Sequence, residues 1–308
     1  MFKRIALLVI APAVAVLAAL GLYTRDPAPL DAETFEALYA APAPKPDGPR
    51  HVFHIGHSLV GRDMPAMLAQ LAGQGHDYAS QLGWGATLQS HWEPDVPING
   101  FAEENAHDKY RDAHEAVESG DYDAIVLTEM VEIKDAIKYH DSAKYVSQWS
   151  DKAQAHGLSV YLYETWHQLN DDAGWLTRLD ADLALYWEGA ILRPALARAE
   201  TPQPIYVIPG GQVMAAFARA LEAQGPVGPL ASYKDLFSDD IHFNDYGAYL
   251  MALTHYAVLY QQDPRGLPHA LQRADGTPGQ DPGPEAARLM QETVWDVVTS
   301  LPRTGVRR

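Results

Sequence analysis

Val52-Phe53-His54-Ile55-Gly56-His57-Ser58-Leu59-Val60-Gly61 is a short apolar run that ends in Gly-x-Ser. Such a run, bounded by glycine, reads as a buried strand with the serine on the turn that follows. Far downstream, Phe237-Ser238-Asp239-Asp240-Ile241-His242-Phe243-Asn244 sets a carboxylate three residues ahead of a histidine, just before a helical pattern. A serine hydroxyl is a weak nucleophile until a base takes its proton, and the base needs a carboxylate to fix its tautomer and orientation. Together the two stretches point to nucleophilic acyl transfer. Alone, Gly-x-Ser is equally an ordinary turn with a helix-capping serine. The tighter Gly-x-Ser-x-Gly elbow is absent, because the next glycine is Gly61.

From His51 onward, apolar strand runs alternate with helical stretches. The strands are expected at 51–55, 77–81, 124–128, 159–163 and 205–208. The helices are expected at 64–73, 107–119, 142–156, 176–199, 212–224, 246–261 and 284–301. Short apolar strands between longer helices predict a three-layer α/β/α domain around a five-stranded parallel sheet, flavodoxin-like in kind. In such sheets the site lies beyond the C-terminal ends of the strands. Ser58, the 83–87 segment, Glu129, the 164–167 segment and Gly210-Gly211 all follow expected strands and should gather along one edge.

The N-terminus is of another character. Lys3 and Arg4 precede an uncharged run from Ile5 to Tyr23. A secretory core is about 7–15 residues and a membrane span about 18 or more, so 1–23 reads as a signal peptide or as a single N-terminal membrane anchor. Both readings export the domain, to the periplasm or beyond, and the second holds it at the inner membrane. Residues 24–50 are rich in Ala and Pro and read as a spacer, interrupted by a short helix near 31–40. Residues 51–308 then form one domain that closes on a C-terminal helix.

The formal charge is -17. That argues against a nucleic-acid partner, which demands clustered Lys and Arg, and against docking on anionic lipid. The chain has no cysteine, so disulfides, thiolate catalysis and Cys-ligated metals are excluded. His51 and His54 point to opposite faces of a strand, and His107 and His114 would share a polar helix face beside acids, so neither pair predicts a metal site. No phosphate-binding glycine loop occurs, and no cofactor is expected. Pro209-Gly210-Gly211-Gln212 reads as a turn into a helix.

Three motifs resemble the blocks of the SGNH/GDSL hydrolase superfamily, over about Val52 to Asn244. Gly56-His57-Ser58-Leu59 is similar to the first block, with His57 where that family usually has Asp. Leu82-Gly83-Trp84-Gly85-Ala86-Thr87 is similar to the second, and Asp239-Asp240-Ile241-His242-Phe243-Asn244 to the fifth. The resemblance implies Ser58 as nucleophile and His242 as base. Two aspartates stand near His242, and the family spacing assigns Asp239 as the orienting acid. The Ser58 and Gly85 N–H groups are implied as oxyanion donors. The third block departs: Leu127-Thr128-Glu129-Met130 has no asparagine, and an ionised Glu cannot donate. A lost oxyanion donor lowers rates by roughly 10²–10³. The resemblance is therefore to a divergent branch.

Glu129, Trp166 and His167 are candidate substrate-binding residues. Trp166 would be a platform for a sugar ring and His167 a donor to the substrate, or else Trp166 packs and His167 is exposed. Glu129 would orient one of them or sit as an acid at a helix N-terminus. The resemblance implies a serine esterase acting on a small-molecule or carbohydrate ester, such as an O-acetyl group. Transfer of the acyl group to an envelope polysaccharide, and glycan binding without catalysis, are the alternatives.

Overall fold

A computed structural model describes residues 26–308. The expected signal or anchor segment lies outside them. Among the described residues no helix is long and apolar enough to cross a bilayer.

The strands β1 (His51–His57), β2 (Asp77–Gly83), β3 (Ala124–Leu127), β4 (Ser159–Glu164) and β5 (Tyr206–Pro209) form one all-parallel sheet in the order β2-β1-β3-β4-β5. This is the flavodoxin-like order expected from the alternating pattern. Alternation along the strands divides the interior in two. Val52, Ala124, Val126, Tyr161 and Tyr163 face one core, and Phe53, Ile125, Leu127, Val160 and Leu162 face the other.

The helices are, in order, α1 (Ala32–Leu38), α2 (Asp63–Ala72), α3 (Leu88–Trp92), α4 (Phe101–Glu104), α5 (Ala113–Ser119), α6 (Ile133–Tyr139), α7 (Ser142–Ala155), α8 (Trp175–Asp182), α9 (Arg193–Leu196), α10 (Gly210–Gln224), α11 (Asp245–Tyr260) and α12 (Gly283–Ser300). The helix α11 is apolar on nearly all sides and buried along its length, because it lies within the first core. The second core is closed mainly by α1, α5 and α7.

Three expectations change. The described part of the expected spacer, from Asp26 to Arg50, does not stand off from the domain. Phe35 and Tyr39, four apart on one face of the α1 turn, are buried in the second core, and the Tyr39 hydroxyl donates to the Ile205 carbonyl at 2.8 Å. The helix expected at 107–119 exists only from Ala113. Residues 109–111 instead run along β2, with Ser80 N–H donating to Lys109 O at 2.9 Å and Arg111 N–H to Ser80 O at 3.3 Å. His107 and His114 therefore share no helix face. The helix expected at 176–199 divides into α8, a π-helical stretch Leu183–Leu192, and α9. Pro194, lacking an N–H, stands where the wider stretch ends.

Candidate active site

Chain order reverses at β1, which has β2 on one side and β3 on the other. Ser58 lies just past the end of β1, at that switch point, where open α/β sheets leave a crevice. The register pairs His57 with Gly83, so Gly85 emerges beside the turn that carries Ser58. Gly85 is exposed and adopts φ +58°, a conformation that favours glycine.

His242 comes from the other side of the crevice. Its loop is pinched by a bridge between Phe237 and Phe243, with Ser238 N–H donating to His242 O at 2.8 Å. Asn244 caps α11, its side-chain oxygen accepting from the N–H groups of Tyr246 and Gly247. The loop delivers the imidazole to Ser58, with 2.8 Å between Oγ and Nε2. Behind it, Asp239 Oδ2 lies 2.7 Å from Nδ1, while Asp239 Oδ1 accepts from the backbone N–H groups of Ile241 and His242 at 2.8 and 2.7 Å. Partial burial would push the Asp239 carboxyl up. The bonds from the His242 backbone and ring and from the Ile241 N–H outweigh it and hold the carboxyl down at about 2. An ionised carboxylate only accepts, so Nδ1 carries a hydrogen toward Asp239, the tautomer in which Nε2 can accept from Ser58. Asp240 faces elsewhere: its carbonyl accepts from Leu169 N–H and its carboxylate from Asn170.

The three candidate substrate-binding residues are corrected by their burial. Trp166 is 1% exposed, with no open face for a sugar. Its Nε1–H donates to Ile241 O at 2.9 Å and its ring packs near Phe237 and Phe243, so it supports the His242 loop from beneath. His167 is neither exposed nor bonded to Ser58, His242 or Asp239. It is 3% exposed, and burial together with the nearby Arg178 charge lowers its pKa to about 4.

Glu129 is fully buried. Its Oε1 accepts from Met130 N–H at 2.8 Å and from Leu88 N–H at 3.2 Å, the first residue of α3. It is thus an acid at a helix N-terminus, and it ties the loop bearing Gly85 to the end of β3. Its carbonyl accepts from His57 Nε2 at 2.8 Å, while His57 Nδ1 accepts from Leu59 N–H at 3.2 Å. Burial lowers the His57 pKa to about 4, so the ring stays neutral and can play both parts. His57 and Glu129 therefore join the ends of β1 and β3 to the Gly85 loop. Burial also raises the Glu129 carboxyl to about 7 against the bonds from Met130 and Leu88. On β4, Glu164 is buried and raised to about 8 by desolvation, opposed by bonds from Gln212.

No protein-family model and no curated protein sequence matches this chain. Among solved structures it is similar to a DUF4886 family protein from Bacteroides uniformis, with a TM-score of 0.51 and 14% identity over 80% of this chain and 94% of that one. The likeness is one of fold. TesA is a weaker match, at TM-score 0.36 and 17% identity over 67% of this chain and 96% of that one. So is BT4096, a gut microbial diltiazem-metabolizing enzyme, at 0.39 and 11% over 72% and 49%.

Sequence reasoning missed two residues here. His57 looked like a harmless departure from the first block, and nothing in its neighbours signals that its ring spans to Glu129. Trp84 lay inside the second block without a role, yet it is 53% exposed beside Gly85.

Proposed function

We propose that the protein is an exported serine esterase that hydrolyses ester bonds through Ser58, His242 and Asp239. One observation carries the reading: an unbroken relay from Ser58 Oγ through His242 to Asp239, with contacts of 2.8 and 2.7 Å, at the switch point of the sheet. In the acylation step His242 Nε2 takes the Ser58 proton as Oγ attacks the ester carbonyl. The tetrahedral oxyanion develops toward the N–H groups of Ser58 and Gly85; among the described residues neither is engaged by the protein. Collapse breaks the ester C–O bond, and the alcohol leaves with the proton from His242. Water then gives its proton to His242 and attacks the acyl-enzyme, and Oγ leaves with that proton to restore Ser58.

The test is hydrolysis of p-nitrophenyl acetate by the wild type, Ser58→Ala and His242→Ala, with a fluorophosphonate adduct mapped by mass spectrometry. Turnover and labelling of Ser58 are expected in the wild type only. Activity surviving both substitutions would refute the triad. Sequencing the N-terminus of the mature protein from the envelope fraction tests export and cleavage.

A further inference from the structure

Trp84 is held in a way that a casual surface residue is not. Its backbone N–H donates to Asn99 O at 2.7 Å and its indole Nε1–H to Glu104 Oε1 at 2.8 Å. One ring face lies on the backbone of Gly100. A Cβ built there would stand 2.2, 2.3 and 2.6 Å from three indole atoms, and Gly100 has φ +65°. The backbone is therefore fixed by one hydrogen bond and the ring by another, together with a face contact that only glycine permits, while the indole stays half exposed. Elsewhere Trp149, Trp166, Trp175 and Trp187 are all buried in the cores. Immobilising an indole at the surface loses side-chain entropy and leaves apolar area in water, a combination typical of aromatic binding anchors.

The surroundings indicate what would cover it. Glu104 also lines an open cleft of about 790 Å³ that begins at Gly61 and Arg62, just beyond Ser58. The residues that lead from the Ser58 turn into α2 brace both cleft walls. Arg62 donates to the carbonyls of Glu103 and Glu104, and Asp63 accepts from Ala274 N–H at 2.9 Å. Drug-like and acyl-chain pockets are lined mainly by apolar groups. Most residues along this cleft instead carry a charge, of either sign, among them Asp63, Lys109 and Asp275, with the Ser80 hydroxyl between them, and the stems of these side chains supply apolar surface beside the polar heads. Alternating donors and acceptors suit a ligand rich in hydroxyls, and the flat apolar face of Trp84 suits the C–H face of a pyranose ring.

We propose that Trp84 is the stacking platform for a sugar ring, and that the adjoining cleft takes further units of an acylated oligosaccharide. The proposal rests on the esterase reading for the identity of the reacting group, but not for the binding itself. The steady-state test compares kcat/KM for partially acetylated xylo-, manno- and chito-oligosaccharides with that for p-nitrophenyl acetate. For Trp84→Ala and Gly100→Ala the ratio for at least one sugar series should fall about tenfold, the equivalent of about 1.4 kcal/mol. Trp84→Tyr, which keeps an aromatic face, should recover most of it. In parallel, calorimetry on Ser58→Ala should detect binding of the same oligosaccharides, weakened about tenfold when Trp84→Ala is added. If the wild type hydrolyses no ester, the esterase reading falls while the calorimetry still decides the platform. No binding of any series, or no change of ratio or affinity on removing Trp84, overturns the proposal. An effect on p-nitrophenyl octanoate alone, which would make Trp84 an acyl-chain contact, overturns it equally.

Discussion

Glu129→Gln isolates the physical state of the residue that binds the Gly85 loop to β3. The wild-type carboxyl is fully buried and raised from 4.5 to about 7. Below pH 4.5 folded and unfolded chains both hold the proton. Between 4.5 and about 7 only the folded chain does, so stability falls as pH rises through that window. At about 1.4 kcal/mol per pH unit, the loss reaches about 3 kcal/mol above pH 7. Glutamine has nearly the same shape, keeps an Oε1 to accept from Met130 and Leu88, and does not ionise. Glu164 titrates in both proteins and cancels in the difference. The variant should therefore match the wild type near pH 4.5 and exceed it by about 3 kcal/mol above pH 7.5. Urea unfolding followed by circular dichroism between pH 4.5 and 8.5 measures the difference. A difference independent of pH, or a wild type that is the more stable at pH 8, would refute the reasoning.

Asp239→Asn keeps the shape behind His242 but removes the anion that fixes Nδ1–H, so kcat for p-nitrophenyl acetate should fall about 10⁴-fold with folding unchanged. Trp166→Phe deletes the bond to the Ile241 carbonyl, which should reduce stability by about 1–2 kcal/mol in urea melts and lower kcat more than it changes KM. Gly211→Ala would drive a Cβ to 2.3 Å from Glu164 Oε1 and 2.8 Å from Thr165 O. Thermal unfolding should report a stability lower by about 1–3 kcal/mol.

The sheet was readable because its signal is local. A central parallel strand buried on both faces is mostly apolar, as in β1, β3 and β4, and all five expected strands lie within a residue or two of the observed ones, the more polar β2 at the sheet edge among them. Helix boundaries were less readable where tertiary pairing competed. The 109–111 segment has helix formers around it, yet it pairs with the exposed edge of β2. Phe35 and Tyr39 lay in a segment whose prolines spoke for a spacer, but that apolar pair, with the Arg303–Glu36 ion pair and the bond from Ala43 N–H to Gly305 O, docks it on the domain.

At the site, spacing along the chain located Ser58 and His242, since a strand-end turn and a pre-helix loop at one sheet edge can face each other. The choice between Asp239 and Asp240 needed the loop itself, because its pinch turns one carboxylate inward to Nδ1 and leaves the other to Asn170. Glu129, Trp166 and His167 were placed on the correct edge with two surroundings open for each: Trp166 takes the packed one and Glu129 the helix N-terminus, while His167, read as a substrate donor or an exposed residue, is buried. A residue just past a strand has no fixed face, and whether it meets solvent or a neighbouring loop depends on what packs over it.

Order and type of residues alone therefore determined the parallel sheet and the sheet edge at which Ser58 and His242 gather, because both follow from periodicity and strand ends. Only the tertiary structure decided which side chains meet solvent there. Trp166 is sealed beneath the His242 loop, while Trp84 is held open by Glu104 and Gly100, residues about twenty positions away whose contact with it exists only in the folded chain.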